Sequence, residues 1–222
     1  MCGRYTLAAG PEFIAEWFAI DGPVPAYTPS FNVTPDSDVP VVTRAPANGR
    51  TCALMRWGLV PHWADSPRTR YRLFNAKAET LARKPVWRGP LRHRRCLVPA
   101  SGFYEWQATS SGKQPWYIRP ARDPLFAFAG LWEYWEGDHL LNSFAIITVA
   151  ANPALARIHD RMPAILEPAD YDRWLDPAIT DPAGVQDLLR PLPPKALELY
   201  PVSRQVNNPR HDGPELIRPL GQ

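Results

Sequence analysis

Residues 95–151 read RCLVPASGFYEWQATSSGKQPWYIRPARDPLFAFAGLWEYWEGDHLLNSFAIITVAA. Five runs rich in apolar, aromatic and β-branched residues follow one another, at 95–100, 101–108, 114–120, 125–135 and 143–151. Between them lie Gly, Ser, Pro, Asp and Asn, the residues that turn a chain. Working outward, DVPVVTR (38–44), TCALMRWGLV (51–60), MPAILE (162–167) and ALELYPVSRQV (196–206) are further strand candidates. PEFIAEWFAI (11–20) sets Phe13, Ile14, Trp17 and Phe18 at helical spacing behind Pro11. PALARIHD (153–160) reads as a short helix or turn, and PADYDRWL (168–175) and PAGVQDLLR (182–190) as short helices opening on Pro. Residues 61–80 read as a loop, 81–95 as a basic, partly helical stretch, and PLPP (191–194) as a rigid break. Strands in series with helices outside them predict an α+β fold, a mainly antiparallel, barrel-like β-sheet with short flanking helices. No composition shift marks a boundary, so residues 1–222 are expected to form a single domain.

Proline makes up 27 of the 222 residues, about 12% against roughly 5% in average usage. The prolines are interleaved with Trp, Phe, Tyr and Val, which argues for rigid turns between short elements and against disorder. Cys2, Cys52 and Cys96 have no metal-ligand spacing and make no even disulfide set. No leader is visible, and no apolar run reaches the roughly 18 residues of a membrane span. A cytoplasmic protein, with no metal, no cofactor and no membrane partner, is the expectation. The net charge of +3 conceals a division: residues 44–95 hold eleven Arg, Lys77 and Lys84 against Asp65 and Glu79, a balance of +11. The rest of the chain is therefore at −8. Such a basic block suits an anionic partner, nucleic acid before membrane, or is a solvated basic surface.

Candidate chemistry begins with Cys2. Removal of Met1 would give it a thiol and an α-amine on adjacent carbons, both partly nucleophilic near neutral pH. Such a pair can close a five-membered thiazolidine on an aldehyde. The plain alternative is a small residue near a frayed end. In SGFYEW, period-two alternation puts Phe103 and Glu105 on one face, Tyr104 and Trp106 on the other. A carboxylate among aromatics suits acid–base work; on the wet face of a half-buried strand it would be ordinary. His159 in IHDRMP is placed as a proton shuttle or as a hydrogen-bonded surface residue. His62, His93, His139 and His211 are weaker candidates in loop-like or basic surroundings. Asn75 in FNAKAET can orient an amine and a sugar hydroxyl, or terminate a turn. Trp63 in GLVPHW can stack on a base, or pack in the core.

Set in order, MCGRY, FNVTP, MRWGLVPHW, NAKAET, RCLVPASGFYEW, AGLW, FAIITVAAN, IHDRMPAIL and PVSRQVNN form one collinear series. The series resembles the SRAP family, SOS response-associated peptidases and abasic-site-processing proteins, from Cys2 to about Asn208. The resemblance implies the SRAP fold. It also implies a protein that senses abasic sites in single-stranded DNA and crosslinks to them covalently through a thiazolidine at Cys2, with weak lyase activity and a peptidase-like removal of Met1. It makes Cys2 the nucleophile, Asn75 the residue positioning the α-amine and the opened sugar, Glu105 the acid–base in ring opening, and His159 the proton shuttle for the Schiff base. It places Arg4, Asn32, Pro35, Trp63, Lys77 and Arg161 on the DNA, with Arg83 or Lys84 supplying a further phosphate contact. Position 77 is commonly Arg in the family; Lys keeps the charge and loses the bidentate fork. The resemblance further implies a monomer, association with the nucleoid when DNA is bound, and replication-fork proteins as further partners. Two rival readings stay open: an N-terminal-Cys peptidase or amidohydrolase using the same four residues, and a single-stranded-DNA-binding module without chemistry.

Overall fold

The computed structural model describes residues 2–44, 49–68 and 73–221. Two stretches of the basic block, 45–48 and 69–72, and the expectation for Met1, lie outside the described residues. In chain order the elements are β1 (Tyr5–Leu7), α1 (Pro11–Trp17), β2 (Ser30–Val33), β3 (Asp38–Arg44), β4 (Arg50–Trp57), β5 (Asn75–Lys77) and α2 (Pro85–His93). They continue with β6 (Arg95–Ala100), β7 (Gly102–Thr109), β8 (Gly112–Pro120), β9 (Phe126–Glu136), β10 (Leu140–Ala150), α3 (Pro153–Ala156), β11 (Arg161–Pro163), β12 (Ile165–Leu166), α4 (Tyr171–Leu175) and β13 (Leu197–Pro201). Short 3-10 turns fill several connections, among them Ala78–Thr80 and Arg204–Asn207.

Five strands close on themselves in the order β10, β4, β3, β6, β9 and back to β10. Four of these seams are antiparallel. The fifth is a short parallel pairing of Ser143 and Phe144 with Arg56 and Trp57. A second sheet runs β13-β8-β7-β1-β2. The two are joined by apolar side chains: Tyr5 of β1 meets Trp57 and Phe128 edge-on at ring separations of 5.2 and 5.7 Å, and Phe103 of β7 meets Phe128 at 6.0 Å. On the far side of the second sheet, Tyr104 and Tyr117 pack with Val202, Val206 and Leu216. Both faces of β7 are therefore covered, and no wet face is left for Glu105, which is 2% exposed. Gly102 matters here because a Cβ at that position would run into the Tyr117 ring, whose hydroxyl is hydrogen-bonded to Thr6 at 2.8 Å.

The α+β expectation, with its barrel-like antiparallel sheet and short outer helices, holds. The five strands of 95–151 appear as β6 to β10 in order, and 38–44 is β3 to the residue. Differences fall on short segments. The loop at 61–80 contains β5, held by parallel pairing to Ile146–Thr148 of β10. MPAILE divides into β11 on β10 and β12 on β9, so the two halves serve different neighbours. PAGVQDLLR forms two 3-10 turns in place of a helix, the first ending on Gly184 and Val185 separating them; glycine disfavours helix by about 1 kcal/mol. Among the described residues no helix is long and apolar enough to cross a membrane.

Candidate active site and nucleic-acid interface

The chain leading into β1 follows β7: Tyr104 N–H donates to Arg4 O at 3.0 Å, and Tyr5 lies opposite Phe103. This register carries Cys2 toward Glu105. Cys2 is wholly buried, and its Sγ donates a weak bond to Arg4 O at 3.7 Å. Burial, and then the neighbouring charge of Glu105, push its thiol far above the ordinary range, so the sulfur is held as SH. Asn75, the first residue of β5, donates from Nδ2 to Cys2 O at 2.7 Å. Its Oδ1 is buried and has no hydrogen-bond partner among the described residues.

Glu105 is raised to about 7, chiefly by burial. His159 follows α3, which Asn152 caps by accepting from Leu155 N–H at 2.9 Å. The cap and the short helix deliver the imidazole with Nε2 at 4.0 Å from Glu105 Oε2. On the other side of the ring, Nδ1 accepts from Arg161 N–H at 3.0 Å and lies 2.9 Å from Asp160 Oδ1. Burial lowers the basicity of His159. Cys2 and Glu105 thus come from the second sheet, while Asn75 and His159 come from segments paired with, or leading into strands paired with, the barrel strand β10. The four meet where the two layers join.

The eight residues expected on DNA fall into three places. Arg4 Nη1 donates to Asn32 Oδ1 and to Val206 O, each at 2.8 Å. Asn32 Nδ2 in turn donates to Asn208 O at 3.1 Å and His211 O at 2.8 Å. This pair pins β1 and β2 to the C-terminal turns. Lys77 is exposed, and Arg83 donates to Glu79 O at 3.4 Å. Arg161 holds Glu79 bidentately, with Nη1–Oε1 at 2.6 Å and Nη2–Oε2 at 2.9 Å. Trp63 is 62% exposed, so it is not a core residue. It lines a pocket of about 590 Å³ with Pro61, Lys84, Pro85 and Val86. Pro35 lines an adjoining pocket of about 340 Å³ with Trp57 and Phe74; Arg68 and Leu73 border both.

Two groups escaped the sequence reading. Glu79 was visible only as a letter of NAKAET, and its partner lies 82 residues away. Glu133, 2% exposed on β9, accepts from Arg94 at 2.8 Å and pairs with His62 at 3.1 Å. It anchors the segment carrying Trp63, helped by Trp135 donating to Ala64 O at 2.7 Å. An acidic residue inside the strand LFAFAGLWEYW is the one trace it leaves in the sequence.

Residues 1–209 match the family model described as SOS response associated peptidase (SRAP). The chain is 43% identical to the abasic site processing protein YoqW of Bacillus subtilis, over 98% of this chain and 99% of that one. It is 35% identical to the abasic site processing protein HMCES of Xenopus tropicalis, over 98% of this chain and 78% of that one. A crystal structure of a protein from Bacteroides thetaiotaomicron superposes with a TM-score of 0.89 at 26% identity, covering 98% of this chain and 99% of that one. With its nearly full-length match, its barrel and its second sheet, this chain belongs to the SRAP family.

Proposed function

We propose that the protein captures abasic sites in single-stranded DNA by a covalent thiazolidine bond to Cys2, after Met1 has been removed. The observation that carries this reading is the convergence on Cys2 of the Asn75 amide, at 2.7 Å from its carbonyl, with Glu105 and His159 4.0 Å apart beside it. The names of its relatives, abasic site processing proteins, agree with it.

An abasic deoxyribose is mostly a closed hemiacetal. Glu105, raised to about 7, is present in both protonation states near neutral pH and assists ring opening. The neutral α-amine of Cys2 adds to the aldehyde carbon, oriented by the open Asn75 Oδ1. His159 carries the proton that lets water leave, giving an imine. The Cys2 S–H then adds across the C=N bond: sulfur bonds to carbon and the proton ends on nitrogen. A thiol kept protonated by burial does not compete for the aldehyde first. Ring closure within one residue benefits from an effective concentration up to about 10⁵ M or more. The imine has a second fate, proton abstraction and β-elimination of the strand, so weak lyase activity accompanies the crosslink. A chain retaining Met1 has an amide at this nitrogen and stops before the first step.

The test is a denaturing gel of protein incubated with abasic, intact and duplex oligonucleotides, with intact mass reporting the state of residue 1. A heat-stable band confined to abasic single strands and lost in Cys2→Ala is the expected result. An adduct that survives Cys2→Ala, or binding that never becomes covalent in a chain shown to start at Cys2, overturns the reading.

A further inference from the structure

Asn75 and His159 are brought to the site by short pieces of chain. Asn75 opens the three-residue β5, which pairs with Ile146–Thr148 of β10. His159 precedes the three-residue β11, which pairs with Thr148–Ala150 of the same strand. The two segments flank β10 on opposite edges at Thr148, and strands this short contribute few ladder bonds to hold them. Glu79, in the turn directly after β5, links the two across β10. Its carboxylate takes both ends of the Arg161 fork at 2.6 and 2.9 Å, while Arg161 Nη2 also donates to Thr148 O at 2.6 Å. The Arg161 side chain is 12% exposed and that of Glu79 53%. A bidentate, partly shielded pair of this kind is stronger and more directional than a surface ion pair.

We propose that Glu79 is a positioning residue for the reaction, acting through Arg161 to fix the tautomer of His159. The Arg161 backbone N–H donates to His159 Nδ1 at 3.0 Å, which leaves the proton of the neutral ring on Nε2, the nitrogen facing Glu105 at 4.0 Å. Asp160 competes for the same Nδ1, with Oδ1 at 2.9 Å, and would draw the proton there. Among the described residues, the charged groups facing the ring are Glu105 at 4.0 Å, Asp160 at 2.9 Å and, further off, Lys113. While Glu79 holds Arg161, its N–H keeps Nδ1 as an acceptor; once released, Asp160 takes Nδ1–H and Nε2 no longer presents a proton to Glu105.

The inference rests on the crosslinking reading for its kinetic arm alone. Nitrogen-15 NMR of the His159 ring in the full chain is expected to show the Nε2–H form in the native protein and a shift toward Nδ1–H in Glu79→Ala. Single-turnover crosslinking at saturating abasic oligonucleotide should slow by 10-fold or more in Glu79→Ala, with partial rescue in Glu79→Gln. Affinity for an intact oligonucleotide should stay level or rise, because an anion has been removed. An unchanged tautomer, or a loss of affinity with an unchanged bound-state rate, overturns the proposal. A native protein that never crosslinks defeats the proposed function and leaves the tautomer result to stand alone.

Discussion

At the scale of single residues, the burial of Glu105 makes stability depend on pH, at a cost that the proposed function would explain. Its carboxyl is raised from the ordinary value of 4.5 to about 7 by burial. Between those two values the folded chain binds more protons than the unfolded one, so stability falls as pH rises through that window and then levels off. The displacement converts to a ceiling of about 3 kcal/mol. Glu105→Gln, which is never charged, is expected to be inactive and yet more stable than the native protein at pH 8, with the difference vanishing near pH 4. Thermal unfolding at the two pH values checks this; each kcal/mol corresponds to roughly 2–4 °C in a chain of this size. The crosslinking rate of the native protein should fall as pH rises above about 7, as the acid form of Glu105 is lost.

Among the elements, Arg95 at the start of β6 ties helices to the barrel. It is 6% exposed and donates to Leu91, Arg92, Trp174, Asp176 and Ile179 carbonyls. These lie in and just after α2 and α4, where unpaired C=O groups collect and a cation is favoured. Arg95→Met keeps volume but orphans buried acceptors, and should destabilise the fold by ~3 kcal/mol or more, read as a lower urea midpoint. The element scale is also where the sequence was most and least informative. Long strands such as β9 and β10 carry their own apolar patterns and were legible. β1, β2 and β5 have three or four residues each and exist through pairing with distant chain, so no local pattern announces them. Glu105, His159, Asn75 and Cys2 could each be singled out by chemistry. The pairing that puts Asn75 on the carbonyl of Cys2 spans 73 residues and had no local signal. Glu79 and Glu133 went unseen because a carboxylate's partner cannot be read from its neighbours.

For the molecule as a whole, the division of charge between the block at 44–95 and the rest gains a physical form. Lys84 at the N-cap of α2 and Arg88 and Arg92 along it are exposed at four-residue spacing, beside the pocket that Trp63 and Lys84 share. Trp87, Pro90 and Leu91 face the other way into the core. Binding of single-stranded DNA should therefore weaken with salt at a log–log slope of about −0.7 per phosphate contact. Trp63→Ala should cost about 1–3 kcal/mol of that affinity without changing the slope, since stacking releases no counterions. Titrations at several salt concentrations separate the two; a reduced slope in Trp63→Ala would contradict the division of labour.

The burial of Cys2 also has a consequence in time. β1 pairs with β7, with Tyr5 opposite Phe103, so its partner is made about a hundred residues later. At ~5–20 residues per second the start of the chain waits roughly 5–20 s on the ribosome before that partner exists. During that interval the bond before Cys2 is open to an aminopeptidase; after folding, Cys2 is wholly buried. Under the proposed function, removal of Met1 is then a race between trimming and folding, and the rate of translation sets its length.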